Sequence, residues 1–385
     1  MFTPHASESS LREFYAAESA RIREEFTASS DGRAAVEGRA ALIDSIARRS
    51  WTQRISPKES EPANVVLVAL GGYGRRWLFP FSDIDILFLH GGGGPDPGLT
   101  QRISNFSQEI WDLRLKLSPA TRTFAECEKF DPSNVEFAIS LLDCRYLAGD
   151  HSLFARLHDQ LIPKLVARES RAIVQRLTDL THARYNKFGN TVFHLEPNVK
   201  DGPGGLRDYN LAQWLALIAA MEEQGAWPDD RTLLPPWLGE RFDRALDFLM
   251  SVRCYLHFRH GRDDNTLAWL AQDGAAQRRV GVSGAGKLSA SDWMRIYYGH
   301  ARLIHRVAQQ LLEEFPAARP SLYRQFQNLR SRLSNAEFAV VDGRIFLQKQ
   351  EALSDPELPL RMFRFMARHG LSLSSSAERQ LEEVQ

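Results

Sequence analysis

Val65-Val66-Leu67-Val68-Ala69-Leu70-Gly71-Gly72-Tyr73-Gly74-Arg75, followed shortly by Ser82-Asp83-Ile84-Asp85-Ile86-Leu87-Phe88-Leu89-His90, is the stretch on which the reading of the whole chain turns. The apolar run Val65 to Leu70 predicts a buried strand, and Ile84 to His90 predicts a second one beyond a Gly- and Pro-containing segment. Glycines directly after a strand let the chain turn sharply. They also let backbone N–H groups approach an anion without a Cβ in the way, so Gly71 and Gly72 predict a phosphate cradle. Asp83 and Asp85 stand at i and i+2 at the start of the second strand, so their carboxylates share one face. Two like charges held that close are costly unless a divalent cation sits between them. Hard Mg²⁺ prefers carboxylate and phosphate oxygens, which makes a metal-bound nucleotide the natural third partner.

Working outward, apolar positions from Glu8 to about Ser50 recur at helical spacing and are broken by the polar turn Ser29 to Gly32, which predicts two amphipathic helices. Gly91 to Gly98 reads as a mobile loop leading into a helix from about Leu99 to Leu113. Arg114 to Thr123 reads as a third strand, and Pro119 within it argues for an edge position or a bulge. After Phe124 the periodicity is helical almost to the end, interrupted at Thr191 to Asp208 and at Trp227 to Pro236.

Composition sets the outer limits. The chain has 385 residues, too many for one core of ordinary size, and its 43% hydrophobic and 25% charged residues exclude wholesale disorder. Lys plus Arg number 48 and Asp plus Glu number 48, so no global field draws the chain to nucleic acid or to an anionic membrane. No apolar stretch approaches the roughly 20 residues that span a bilayer. Met1 to Arg12 lacks the apolar run of a signal peptide. Cys127, Cys144 and Cys254 are widely spaced with no C-x-x-C pair, which points away from disulfide frameworks and zinc sites and toward a reducing cytoplasm.

Strand, Gly-Gly turn, then Ser82-Asp83-x-Asp85 on the next strand resembles the signature of the polymerase β-like nucleotidyltransferases. The resemblance implies transfer of a nucleoside monophosphate from a nucleoside triphosphate with pyrophosphate leaving, supported by two metal ions. Gly71-Gly72-Tyr73-Gly74-Arg75 with Leu78, Pro80 and Ser82 to Asp85 is similar to the motif of the bacterial PII uridylyltransferase/uridylyl-removing enzymes. Leu195-Glu196-Pro197-Asn198-Val199-Lys200-Asp201-Gly202-Pro203-Gly204-Gly205-Leu206-Arg207-Asp208 resembles a second, long motif of that family. Val252-Arg253, Leu256-His257, Gly261-Arg262, Asp264, Trp293-Met294-Arg295 and Tyr297-Tyr298 agree with it, from about Gly38 onward.

The resemblance implies UTP as donor, a tyrosine of the nitrogen-signalling protein PII as acceptor, and Mg²⁺ or Mn²⁺ as cofactor. Asp83 and Asp85 would be the catalytic metal ligands, with Gly71, Gly72, Arg75, Ser82, Lys200 and Arg207 holding the nucleotide. The alternatives are another nucleotide or acceptor, or a catalytically impaired regulatory module of the same fold. Three departures accompany the likeness. Trp77 stands where the family usually carries an acidic residue. Leu117 to Arg122 replaces a segment with His-Ser before its Arg. No acidic residue lies between Leu113 and Thr123, where many polymerase β-like enzymes place a third metal-binding carboxylate. The family continues into an HD-type phosphohydrolase domain and two ACT domains, which are not expected in this chain.

Read from its residues alone, the 195–208 motif is a glycine-punctuated loop entering a helix and displaying Lys200 and Arg207, a cationic pair suited to a triphosphate. The alternative is a docking loop with Glu196, Arg207 and Asp208 in interdomain salt bridges. Gly281 to Lys287 has the spacing of a phosphate loop, but Leu288 occupies the place of the Mg²⁺-binding Ser or Thr, so a solvent loop between helices is expected. His158-Asp159 has no spaced His and Asp partners and reads as part of a surface helix. The expected fold class is α+β. N-terminal helices (1–55) precede a small mixed-sheet nucleotidyltransferase domain (56–150), and a larger all-helical domain (151–385) follows.

Overall fold

Val65–Ala69 (β1) is buried along its whole length, which is why its apolar run shows no alternation. The structure is a computed structural model that describes residues 8–56, 64–92, 97–228, 236–317, 337–341, 344–347 and 355–382. Ahead of β1 come two helices, α1 (Glu8–Ser29) and α2 (Gly32–Ser50). They are separated as the sequence predicts: Ser30 takes a left-handed φ of 56°, and the Asp31 side chain accepts from Ala34 N to cap α2.

After β1 the chain forms a single helical turn, α3 (Gly71–Gly74), and then β2 (Ile84–His90), α4 (Pro97–Asp112) and β3 (Leu117–Thr123). Next are α5 (Phe124–Cys127), α6 (Val135–Leu142), β4 (Arg145–Gly149) and α7 (His151–Ala155). The helical part comprises α8 (Ile162–Lys187), α9 (Leu206–Gln224), α10 (Pro236–His260), α11 (Trp269–Gln277) and α12 (Ala290–Ala317). Part of the loop expected over Gly91 to Gly98, and part of the interruption at Trp227 to Pro236, lie outside the described residues.

The sheet is mixed, in the order β3-β2-β1-β4. β1 runs antiparallel to β2, with Val65 opposite His90 and Ala69 opposite Ile86, and β2 runs parallel to β3. Pro119 therefore sits on an edge strand, where its missing N–H costs least. One apolar cluster on the sheet is built from Trp51 stacked at 6.4 Å on Phe88, with Phe106 of α4 edge-on to Phe88 at 5.3 Å.

β4 corrects the reading of uninterrupted helix after Phe124. Its five residues, Arg-Tyr-Leu-Ala-Gly, carry little strand signal of their own, and pairing with the exposed backbone edge of β1 makes them a strand.

The start of α2 lies against α10 so closely that a Cβ on Gly32 would come within 2.2 Å of Ser251 N, and Gly32 N donates to Ser251 Oγ at 3.1 Å. Gly32→Ala is therefore expected to destabilise the fold by about 1–3 kcal/mol, read as a lowered urea midpoint.

The chain divides into two compact units, Met1–Ile304 and His305–Gln385. The second contains a small sheet, β5 (Phe338–Val341), β6 (Arg344–Leu347) and β7 (Ser372–Leu373), ordered β5-β6-β7. Phe338, Val340 and Ile345 pack there with Leu358 and Met362 from the helix Leu358–His369. The α+β class stands, but the region read as all-helical carries these strands. At two to four residues each they are too short to show a period. No helix among the described residues is long and apolar enough to cross a membrane.

Candidate active site

The turn after β1 is built by its backbone. Gly74 N donates to Leu70 O, Arg75 N to Gly71 O, and Trp77 N to Gly72 O at 2.8–3.0 Å. Gly71 has a φ of +52°, where a side chain is strained, and a Cβ there would stand 3.6 Å from Asp85 Oδ2. The glycine backbone thus lies against one of the two carboxylates. Leu70 N donates to Asp85 O at 3.0 Å, which ties the end of β1 to the start of β2.

Asp83 is exposed and Asp85 half-buried. Burial first, and the charge of Asp83 second, raise the Asp85 carboxyl above the usual carboxylate range, while Lys200 and Arg75 act in the opposite direction. The Asp85 carboxyl thus feels the charge of Lys200, a residue more than a hundred positions away. Ser118 of β3 stands opposite Asp85 in register. Among the described residues no group of three or more His, Cys, Asp or Glu is arranged to hold a metal ion. Asp83 and Asp85 remain a two-carboxylate donor set of hard oxygens whose mutual repulsion a divalent cation would relieve, so they fit Mg²⁺ or Mn²⁺ completed by water and phosphate oxygens.

Behind the pair is a layer to which the sequence reading assigned no role. Arg253 and His257 lie one turn apart on α10 and are buried. Arg253 Nη2 reaches Ser82 Oγ at 3.3 Å and Asp263 at 3.2 Å, its Nε donates to Asn265 at 2.7 Å, and its guanidinium lies 4.1 Å over the Phe79 ring. The His257 ring meets Pro80 O through Nδ1 and Asp263 through Nε2 at 2.9 Å. These contacts grip residues 79–82, the stretch that leads into Asp83. A basic pair spaced i, i+4 within the mostly apolar stretch Phe248 to Phe258 is the signal that could have found them.

Asp263 is the hub: hydrogen bonding from His257 first, then Arg253 and Lys200, holds its carboxyl far below the usual range against the effect of burial. A depressed carboxylate contributes stability that is full above its unfolded pKa and is lost progressively as pH falls from there through its folded value. Asp263→Asn should therefore cost roughly 1–3 kcal/mol at neutral pH, and urea melts should show the deficit shrinking progressively as pH falls below the ordinary carboxylate range.

Lys200 Nζ lies 3.9 Å from Asp263, and burial together with Arg253 lowers its pKa while Asp263 and Asp201 oppose the shift. Its loop is tight: Asn198 Oδ1 accepts from Lys200 N at 3.0 Å and Asp201 N at 2.7 Å, and Leu206 N returns to Val199 O. Val199 N and Leu267 N tie the loop to residues 265–267.

The other candidates are placed differently. Arg75 is paired with the buried Asp143 and lies against Trp77 and Trp214, with its guanidinium carbon 5.2 and 5.7 Å from the two ring centres. Gly72 lines the turn, and a Cβ there would meet Trp77 O at 3.3 Å. Arg207 forms a surface pair with Asp201 at 2.5 Å. Trp77, the departure from the family pattern, packs edge-on to Tyr209 of α9 at 5.9 Å.

Asp208 and Glu196 serve structure: Asp208 is fully buried against Arg184 and Tyr185 of α8, and Glu196 accepts from Trp269 N at 2.9 Å. The alternative of interdomain bridges does not hold for Glu196, Arg207 or Asp208, because their partners belong to the helical part itself. Gly281 to Lys287 is the solvent loop expected between α11 and α12, closed by Arg279 donating to Ser283 O and Gly286 O. His158 pairs with Asp159 at 2.6 Å and stacks on Trp227 at 4.5 Å.

A mixed sheet with a glycine turn after one strand and paired aspartates opening the next defines a polymerase β-like nucleotidyltransferase fold. A family model described as GlnD PII-uridylyltransferase matches residues 171–312. The bifunctional uridylyltransferase/uridylyl-removing enzyme of Burkholderia vietnamiensis is 30% identical over 355 residues, covering 89% of this chain and 40% of that protein. The enzyme of the same name from Cereibacter sphaeroides is 29% identical over 360 residues, covering 91% of this chain and 38% of that protein. The chain belongs to this family, and it spans about two fifths of the length of these curated relatives.

Proposed function

We propose that this chain is the nucleotidyl-transferring part of such an enzyme, moving UMP from UTP to a tyrosine hydroxyl of the protein PII in a reducing cytoplasm. The observation that carries the reading is Asp85 set beside the Gly71 backbone, with the charges of Asp83 and Lys200 acting on its carboxyl. The tyrosine oxygen bonds to the α-phosphorus of UTP as its proton passes to solvent water, the bond from that phosphorus to the bridging oxygen breaks, and pyrophosphate leaves. Asp83 and Asp85 would hold a divalent cation, which when bound would neutralise charge at the phosphates and acidify the attacking hydroxyl. Backbone N–H groups of Gly71 and Gly72 and the Ser82 hydroxyl donate to phosphate oxygens, and Lys200 offsets charge gathering on the departing pyrophosphate. Arg253 and His257 are positioning residues that hold Ser82 and the approach to Asp83 in place.

Incubation of the protein with labelled UTP, Mg²⁺ and PII is expected to label PII, and ATP, CTP and GTP are expected to serve poorly. An unlabelled PII, or a better yield with another nucleotide, overturns the assignment of acceptor or base. The relatives are named for uridylyl removal as well, a hydrolysis that in this family belongs to the HD domain. Uridylylated PII mixed with this protein, glutamine and Mn²⁺ without pyrophosphate is therefore expected to keep its label. Steady release of UMP would reveal a hydrolytic site in this chain.

A further inference from the structure

Helix α10 works on two sides. Arg253 and His257 reach toward residues 80–82, whereas Tyr255, Phe258 and Arg259 project from the opposite side of the same turns. There, with α1 and the end of α11, they line a cavity of about 270 Å³. Its floor is apolar and aromatic: Phe26 and Tyr255 are buried, and Phe26 packs on Phe258 at 5.3 Å. Its rim carries the exposed side chains of Arg23, Arg259 and Arg278. The Arg23 guanidinium lies 6.0 Å from the Phe258 ring centre, and Arg259 donates to the Tyr255 hydroxyl at 3.0 Å. Gly274 of α11 makes room for that pair, since a Cβ there would come within 2.3 Å of the Tyr255 hydroxyl oxygen.

No carboxylate lines the cavity, and among the described residues none forms an ion pair with any of the three arginines. In a chain whose charges balance overall, three guanidiniums gathered around one aromatic-floored cavity are a local excess of positive charge. Guanidinium forks match phosphate oxygens, and an aromatic floor accepts the face of a flat ring.

We propose that this cavity binds a small polyanion carrying a flat ring, the chemistry of a nucleoside phosphate, at a site separate from the aspartate pair. Because the two sites occupy opposite sides of α10, disabling one leaves the other intact.

The test is calorimetric titration of AMP into the full chain carrying D83N and D85N, with EDTA present so that no divalent cation supports binding at the aspartates. Saturable binding of one AMP per chain with a Kd below about 1 mM is expected. Ribose 5-phosphate, which lacks the ring, should bind about 10-fold more weakly, and adding R23Q and R278Q should weaken AMP at least about 10-fold. Both arginines are exposed, so the melting temperature should not move, and R278Q alone should give part of the loss. Absence of saturable binding overturns the proposal, as does an AMP affinity unchanged by R23Q and R278Q. Equal affinity for ribose 5-phosphate overturns the role of the aromatic floor.

Discussion

Asp83→Asn and Asp85→Asn are each expected to lower nucleotidyl transfer by more than about 10³-fold without unfolding the protein, because a bound metal supplies several kcal/mol and each 1.4 kcal/mol is a factor of ten. The shapes are conserved in these variants, so the loss reads the carboxylate charge itself. Asp85 adds a second readout. Its carboxyl is raised by burial and by Asp83, so in the metal-free protein its ionised form disfavours the fold above its own pKa. Asp85→Asn should therefore raise the melting temperature of the metal-free protein at neutral pH. The gain should vanish as pH falls below the ordinary carboxylate range, where Asp85 is protonated in folded and unfolded chains alike. A gain in stability joined to a loss of activity is the mark of a residue kept for its chemistry. Near wild-type transfer by either variant with Mg²⁺ would remove the metal-ligand assignment, and so would loss of cooperative melting that accounts for the lost activity.

What was legible in the sequence was local. The run Val65 to Leu70, the glycines after it and the Asp83-x-Asp85 spacing are each set by neighbours within a few residues, and the strands, the turn and the shared carboxylate site follow from them. The layer behind the aspartates is long-range: Arg253 meets Ser82 across 171 positions and His257 meets Pro80 across 177, and no period or propensity encodes such a meeting. β4 escaped notice for the same reason, because its partner β1 lies some eighty residues earlier. Trp77 shows a further limit. Read as a missing acid, it suggested a weakened site. Its place between Arg75 and Tyr209 makes it packing between the glycine turn and α9, beside the Arg75–Asp143 pair rather than between the two aspartates.

Asp208→Ala is expected to be among the most destabilising single changes in the chain, at about 3–5 kcal/mol, because it removes one partner of a buried ion pair and strands the other. Asp208 has no exposed surface. It accepts from Arg184 Nη2 at 2.5 Å, from the Tyr185 hydroxyl at 2.8 Å and from Gly204 N at 2.7 Å. Alanine removes the acceptor these three donors share, while Arg184 retains its bond to Asp201 O at 2.8 Å and its place 4.8 Å over the Tyr185 ring. Asparagine retains the shape and one acceptor oxygen but turns an amide toward a donor, so Asp208→Asn should cost less, roughly 1–3 kcal/mol. The damage has a direction. Asp201 and Gly204 flank the loop that carries Lys200, so slackening it should weaken the hold on the triphosphate before the fold is lost. Urea midpoints in the order wild type, Asp208→Asn, Asp208→Ala, with KM for UTP rising in the same order, are the expected result. An Asp208→Ala protein that melts like the wild type would mean that Arg184 and Tyr185 find other partners, and Asp208 would then have to be counted among residues that act on the substrate.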